Sequence, residues 1–146
     1  MARRPVAWMG AIVLLVEAVG IALLNWFLGH VVDKQDMSLA GLDPHAMTVS
    51  TWIAGAVFGG YLALCGIVLA RTAVRDRAPG TFGRILLISC AVLHALLGAF
   101  CVGLVGWAAF AFMMVVLGLI VLPLLAYERK AQQDAEDDAV AAPQAA

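Results

Sequence analysis

Residues 85–127 read ILLISCAVLHALLGAFCVGLVGWAAFAFMMVVLGLIVLPLLAY, a run of 43 residues without a charged side chain. As a single α-helix this run would be about 64 Å long, because a helix rises about 1.5 Å per residue. The hydrocarbon core of a bilayer is only about 30 Å thick and is crossed by about 20 apolar residues. The run must therefore turn once, and Gly103 and Gly106 permit a tight bend. The stretch predicts two membrane-spanning helices, at about residues 84–104 and 107–127.

Two earlier stretches meet the same length criterion. The first covers about residues 6–28 and contains Glu17 and Asn25; the second covers about residues 47–71. The first stretch is longer than the 7–15 apolar residues of a signal peptide, so we expect it to be retained as a helix. The sequence thus predicts an all-α fold, an integral membrane four-helix up-down bundle formed by residues 1–130.

The bulk composition agrees with a polytopic membrane protein. Hydrophobic residues make up 64% of the 146 residues and charged residues 13%, with a mean hydropathy of +0.96. Soluble proteins average about 45–50% apolar residues and about 25% charged residues. A soluble globular domain, a disordered chain and a disulfide-stapled scaffold are excluded, and a net charge of −1 argues against nucleic acid as a partner. The soluble parts are too short for a catalytic domain and the chain carries no phosphate-binding or zinc-protease motif, so we expect no enzymatic activity and no cofactor.

The distribution of positive charge predicts the orientation. Eight of the nine basic residues fall on one side of the predicted spans: Arg3, Arg4, Arg71, Arg75, Arg77, Arg84, Arg129 and Lys130. Cytoplasmic loops are enriched in arginine and lysine, so both termini are predicted to be cytoplasmic. The excess of arginine over lysine indicates a bacterium, and hence its inner (plasma) membrane. After the last helix, residues 131–146 are acidic and poor in large apolar residues, which predicts a disordered cytoplasmic tail.

Small residues recur at helical spacing on two of the predicted helices. Helix packing inside a bilayer depends on close approach, which small residues allow. The pattern therefore predicts a tightly packed hairpin of helices 2 and 3, although either row could instead serve a homodimer. The residues in these rows are Gly55, Ala56, Gly59, Ala63 and Gly66 on helix 2, and Ala95 and Ala99 on helix 3.

Glu17 and His94 are the ionisable residues nearest the centre of the bilayer. Glu17 lies 13 residues beyond Arg4, about 20 Å along the helix, and His94 lies ten residues beyond Arg84, about 15 Å. A carboxylate facing lipid at that depth costs about 2.5–3.5 kcal/mol, so Glu17 should face the bundle. We interpret the two as an intramembrane polar pair, which could relay protons, bind a substrate or simply fix the helix register. Asn25 and Tyr61 are secondary polar candidates.

Cysteine and histidine side chains raise the question of a metal site. Cys90, His94 and Cys101 share one face of helix 3, but buried cysteine commonly packs as a small apolar residue. The first loop also carries polar side chains, which we interpret as solvated: His30, Asp33, Asp36, Asp43 and His45. We expect no metal at either place.

Residues 17–25, EAVGIALLN, resemble the first helix of the small multidrug resistance transporters. Members of that family are short four-helix proteins whose helix 1 contains a central glutamate that binds protons and cationic drugs. The likeness covers about one helix of four, and the long first loop, His94 and the acidic tail depart from the family pattern. The resemblance implies a proton-binding role for Glu17.

The sequence leaves two functions open. The first is an accessory or interaction subunit of a membrane complex, without catalysis of its own. The alternative is a proton-coupled small-molecule transporter that uses Glu17 and His94 within an oligomer. The expected partners are the lipid bilayer and either further copies of the chain or a larger membrane complex.

Overall fold

The computed structural model describes residues 3–35, 41 and 43–141. Four helices follow one another in the chain: α1 (Arg3–Lys34), α2 (Pro44–Arg75), α3 (Thr81–Leu104) and α4 (Trp107–Ala141). All four are long and apolar enough to cross a membrane, which indicates a multi-pass membrane protein. The predicted all-α class with four apolar helices is confirmed, and the arrangement is consistent with a helical bundle.

The starts of α2 and α4 show how local sequence sets the helix boundaries. Asp43 Oδ1 accepts hydrogen bonds from the amides of His45 (2.7 Å) and Ala46 (3.3 Å), and Pro44 is the first helical residue. Asp43 is therefore the N-cap residue of α2, and it is followed by a proline, which lacks an amide hydrogen to satisfy. Between α3 and α4 the chain turns at Gly106, whose φ is +119°.

Helix α4 continues further than predicted. The apolar run ends at Tyr127, but the helix extends to Ala141, so residues 131–141 of the expected disordered tail are helical. The reason is local: this stretch consists largely of alanine, glutamine and acidic residues and contains no glycine or proline before Pro143. Alanine, glutamine and glutamate are favourable in helices. Residues 142–146 lie outside the described part of the chain, as does Asp36 of the first loop.

The chain forms two compact units, and α1 and α2 contribute to both. One unit is Val13–Leu64; the other is Met1–Ile12 together with Cys65–Ala146. Within Val13–Leu64, a Cβ on Gly55 would lie 2.5 Å from the Cβ of Asn25, and one on Gly59 would lie 3.0 Å from the carbonyl oxygen of Ala18. The helix 2 glycines thus allow α1 and α2 to approach closely.

In the other unit α3 packs against α4. The buried face of α3 consists of Gly83, Leu87, Cys90, Ala91, His94 and Gly98. A Cβ on Gly98 would lie 2.7 Å from Met114 Cε of α4. Ala95 and Ala99 are exposed within the chain, so the row that they form does not pack against α4, and its alternative use in a homodimer stays a prediction. On α2, Gly66 is buried and Ala63 half-buried, whereas Ala56 is exposed.

Candidate functional site

His94 is a buried polar residue of the apolar part of α3, with 4% of its surface exposed. Its Nδ1 lies 2.8 Å from the carbonyl oxygen of Cys90, one helical turn earlier, and 3.7 Å from Cys90 Sγ. A carbonyl oxygen can only accept, so Nδ1 carries the hydrogen and donates it. In the neutral ring the lone pair is then on Nε2. The backbone of α3 therefore fixes which nitrogen of His94 can take up a proton.

Glu17 lies on α1 beside the buried face of the helix. Its side chain is half-buried, and its Oε1 is fully covered. The neighbouring Ala18 and Leu14 are buried, so the carboxyl group flanks the packed face of the helix. Glu17 belongs to the unit Val13–Leu64 and His94 to the other. Their predicted pairing stays a prediction.

The two secondary polar candidates differ in their environment. Asn25 Nδ2 donates to the carbonyl oxygen of Ile21 at 2.9 Å, so this amide bonds within its own helix. Its Cβ faces Gly55. Tyr61 is half-buried on α2. Asn25 therefore contributes to helix packing more than to a polar site.

The side-chain contacts of an aromatic cluster at one end of α1 and α2 were not predicted from the sequence. Trp52 Nε1 donates to the carbonyl oxygen of Trp26 at 3.2 Å. The His30 ring centroid lies 4.7 Å from that of Trp26 and 5.7 Å from that of Trp52. The spacing of Trp26 and His30 by four residues, one helical turn, was the available signal. The cluster is exposed, which suits aromatic residues at a membrane–water interface.

The charged residues at the opposite ends of the helices form a network. Arg3 donates from Nε to Asp76 Oδ1 and from Nη2 to Asp76 Oδ2, both at 3.2 Å. Lys130 Nζ lies 3.5 Å from Asp76 Oδ2. Asp76 follows the end of α2 and has a φ of 50°, a left-handed conformation that aspartate and asparagine tolerate better than most residues. One carboxylate thus joins α1, α4 and the turn after α2.

Two further arginines at this end are also engaged. Arg84 Nε of α3 lies 2.8 Å from Glu128 Oε1 of α4. Arg4 donates to the carbonyl oxygens of Ala73 and Val74 at 3.2 and 3.4 Å, near the end of α2 where helical carbonyls lack partners. These basic residues, which also predict the orientation in the membrane, therefore connect the helix ends.

The pairing of Asp76 predicts a pH dependence of stability. The hydrogen bonds from Arg3 hold the pKa of the Asp76 carboxyl below its ordinary value of 3.8, and Lys130 lowers it further. A lowered pKa in the folded protein stabilises the fold above the unfolded value, and this contribution is lost as the pH falls through the folded value. We expect Asp76→Asn, which suits the left-handed turn, to lower the unfolding temperature at pH 7 and to flatten its decline below pH 4.

Thermal unfolding in detergent between pH 7 and pH 3 measures this effect. Asp33→Asn is the matched control, because Asp33 is an exposed aspartate on α1. Parallel curves for the wild type and Asp76→Asn would contradict the role assigned to the Asp76 ion pairs.

Neither a metal centre nor a known relative identifies the site. Within residues 3–35, 41 and 43–141, no group of three or more histidine, cysteine, aspartate or glutamate side chains is placed to hold a metal ion. Comparisons of the chain with protein-family models, curated proteins and solved structures found no match.

Proposed function

We propose that this protein is an accessory or interaction subunit of a larger complex in a bacterial plasma membrane, with both termini in the cytoplasm. The observation that carries the proposal is the helical extension of α4 beyond Lys130. We name residues 131–140 the acidic segment; they are helical, and every one of them is exposed. The segment holds four carboxylates: Asp134, Glu136, Asp137 and Asp138.

Two features leave the helical conformation of the acidic segment without stabilising interactions. The segment continues the 35-residue helix α4 and has favourable helix propensity, but it buries none of its side chains, so no packing stabilises it. Its carboxylates lie near the carboxyl end of the helix, where the helix dipole already places partial negative charge. The last turn contains no basic residue. A basic surface of a partner subunit would relieve both costs, and charge complementarity would guide its association.

The proposed orientation follows from the basic residues at the same end of the molecule. Arg3, Arg84 and Lys130 all take part in ion pairs there. The positive-inside rule puts this end in the cytoplasm. The acidic segment would then be available to cytoplasmic parts of a partner.

Copurification tests the accessory role. We expect the wild-type chain, purified in mild detergent, to recover a defined partner by quantitative mass spectrometry. Replacing the four carboxylates together (Asp134→Asn, Glu136→Gln, Asp137→Asn and Asp138→Asn) should remove that partner. The matched control Gln132→Ala with Gln133→Ala alters the same segment without changing its charge and should retain it. Recovery of the wild type always alone, or retention of the partner by the neutralised variant, would contradict the proposal.

A second candidate is a proton-coupled small-molecule transporter built on Glu17 and His94 in an oligomer. The observation that favours it is the environment of His94. This residue is buried in an apolar helix, and its Nδ1 donates a hydrogen bond to the carbonyl oxygen of Cys90. Ionisable residues in such positions often mark proton pathways. A histidine whose tautomer is fixed would exchange its second proton at Nε2 alone.

Proton flux in proteoliposomes tests this candidate. If transport occurs, Glu17→Gln and His94→Gln should each reduce the flux to that of protein-free liposomes. Asp33→Asn, an exposed carboxylate on the same helix as Glu17, should leave the flux unchanged. A wild-type flux no higher than that of empty liposomes would remove the transporter from consideration.

A further inference from the structure

The end of α2 and the start of α3, with the turn between them, border an open pocket of about 350 Å³. Three arginines line it: Arg71, Arg75 and Arg77. Among the described residues, its lining contains no carboxylate. We propose that this pocket binds the phosphate group of an anionic phospholipid. The proposal requires only that the helices lie in a membrane and is independent of the accessory role.

The three arginines keep their positive charge available to a ligand. Asp76, the one acid between Arg71 and Arg84, is held by Arg3 and Lys130. In the part of the chain that the structure describes, Arg71, Arg75 and Arg77 make no ion pair.

Two other carboxylates lie in the vicinity. Arg75 and Arg77 also line a neighbouring groove that contains Asp134 and Asp138 of the acidic segment. Neither aspartate reaches ion-pair distance of an arginine in the described residues. The pocket itself therefore presents unneutralised guanidinium groups, which bind phosphate oxygens in a planar, two-pronged geometry.

The walls of the pocket favour a lipid over a soluble phosphate. Val68 and Phe82 contribute apolar surface beside the arginines, and Phe82 is 73% exposed. Arg71 directly follows the charge-free stretch that ends at Ala70, so the pocket lies where the apolar span gives way to charge. Basic pockets at this level of a membrane protein bind anionic head groups. The acyl chains would continue along the apolar side.

The start of α3 adds to the positive potential of the pocket. Gly80 precedes the helix without a side-chain cap, and the first turn contains no acidic residue. Gly80, Phe82 and Gly83 of this end line the pocket. The first amides of a helix lack partners within the helix and carry partial positive charge. A phosphate oxygen would satisfy such a donor, in support of the three arginines.

Native mass spectrometry of the full chain, titrated with phosphatidylglycerol or phosphatidylcholine, tests the proposal. We expect phosphatidylglycerol to remain bound at concentrations at which phosphatidylcholine is lost. Arg71→Gln with Arg75→Gln should weaken binding of phosphatidylglycerol at least about tenfold, because each interfacial cation contributes to the attraction. Arg4→Gln with Arg129→Gln removes the same charge from the same end, outside the pocket, and should weaken binding far less.

Four results would overturn the proposal. Equal loss of binding in the two double variants would show a diffuse surface attraction, and equal binding of the two lipids would show no selectivity for an anionic head group. Displacement of phosphatidylglycerol by millimolar inorganic phosphate would identify a soluble ligand. If the glutamine variant does not fold, Arg71→Lys with Arg75→Lys keeps the charge and removes the two-pronged geometry. That variant should bind phosphatidylglycerol less tightly than the wild type, and unchanged affinity would contradict the pocket.

Discussion

We expect that replacing Gly10 by alanine lowers the free energy of unfolding by about 1–3 kcal/mol, which is the usual cost of overpacking. A Cβ at this position would lie 2.7 Å from Leu69 Cδ2 and 2.8 Å from the carbonyl oxygen of Leu119. The leucine side chain can rotate away. The carbonyl belongs to the backbone of α4 and cannot move without shifting that helix, so the added methyl group must separate α1 from α4.

Gly118→Ala is the matched control on α4. A Cβ there meets no described atom within 4 Å, so the substitution adds a methyl group to open space. Alanine also favours the helix by about 1 kcal/mol over glycine. Thermal unfolding in detergent, followed by circular dichroism, should show a lower midpoint for Gly10→Ala and an equal or higher one for Gly118→Ala. Equal midpoints for Gly10→Ala and the wild type would contradict the close approach of α1 and α4.

The features of the fold that follow from short-range physics were predictable. The 43-residue apolar run had to turn once, and the predicted boundaries at residues 104 and 107 agree with Leu104 and Trp107. The Asp43 cap of α2 is a feature of the same kind, because capping depends on neighbouring residues alone. The helix ends beyond the apolar stretches were less predictable. In residues 131–141 the acidic composition predicts disorder, whereas the intrinsic helix propensity favours a helix. The structure shows the helix.

The face by which a helix packs was harder to predict than its existence. Helix α3 contains several rows of small residues, and the row through Ala95 and Ala99 has the more regular spacing. The structure buries Ala91, which belongs to that row, but exposes Ala95 and Ala99, and it places Gly98 against the Met113 and Met114 side chains. Which row is used depends on the shape of the partner helix, and the spacing within α3 contains no information about that shape.

The candidate sites also combine features that could be predicted from the sequence with contacts that could not. The depth of Glu17 and His94 followed from counting residues along a helix, but the bond from His94 Nδ1 to Cys90 depends on the side-chain rotamer. The pairing of Arg3 with Asp76 joins residues 73 positions apart, which no local pattern contains. The sequence showed a basic end. The structure distinguishes arginines that connect helices from those that line the pocket, such as Arg71.

Gly106→Ala should destabilise the protein by about 1–3 kcal/mol through backbone strain alone. Gly106 has a φ of +119°, a conformation that residues with a Cβ rarely adopt. Its amide donates to the carbonyl oxygen of Cys101 at 2.8 Å, and its own carbonyl oxygen accepts from the amide of Phe110 at 3.3 Å. The residue thus ends α3 and begins α4, so a change of its φ disturbs both hydrogen bonds.

Gly103→Ala separates this strain from the loss of a glycine as such. Gly103 lies within α3 at an ordinary helical φ, and a Cβ there meets no described atom within 4 Å. Its replacement should therefore leave the unfolding midpoint equal or slightly raised, whereas Gly106→Ala should lower it. Gly106→Asn should fall between the two, because asparagine adopts positive φ more readily than alanine, although at smaller angles. A Gly106→Ala midpoint equal to that of Gly103→Ala would show that the turn between α3 and α4 does not require the observed φ.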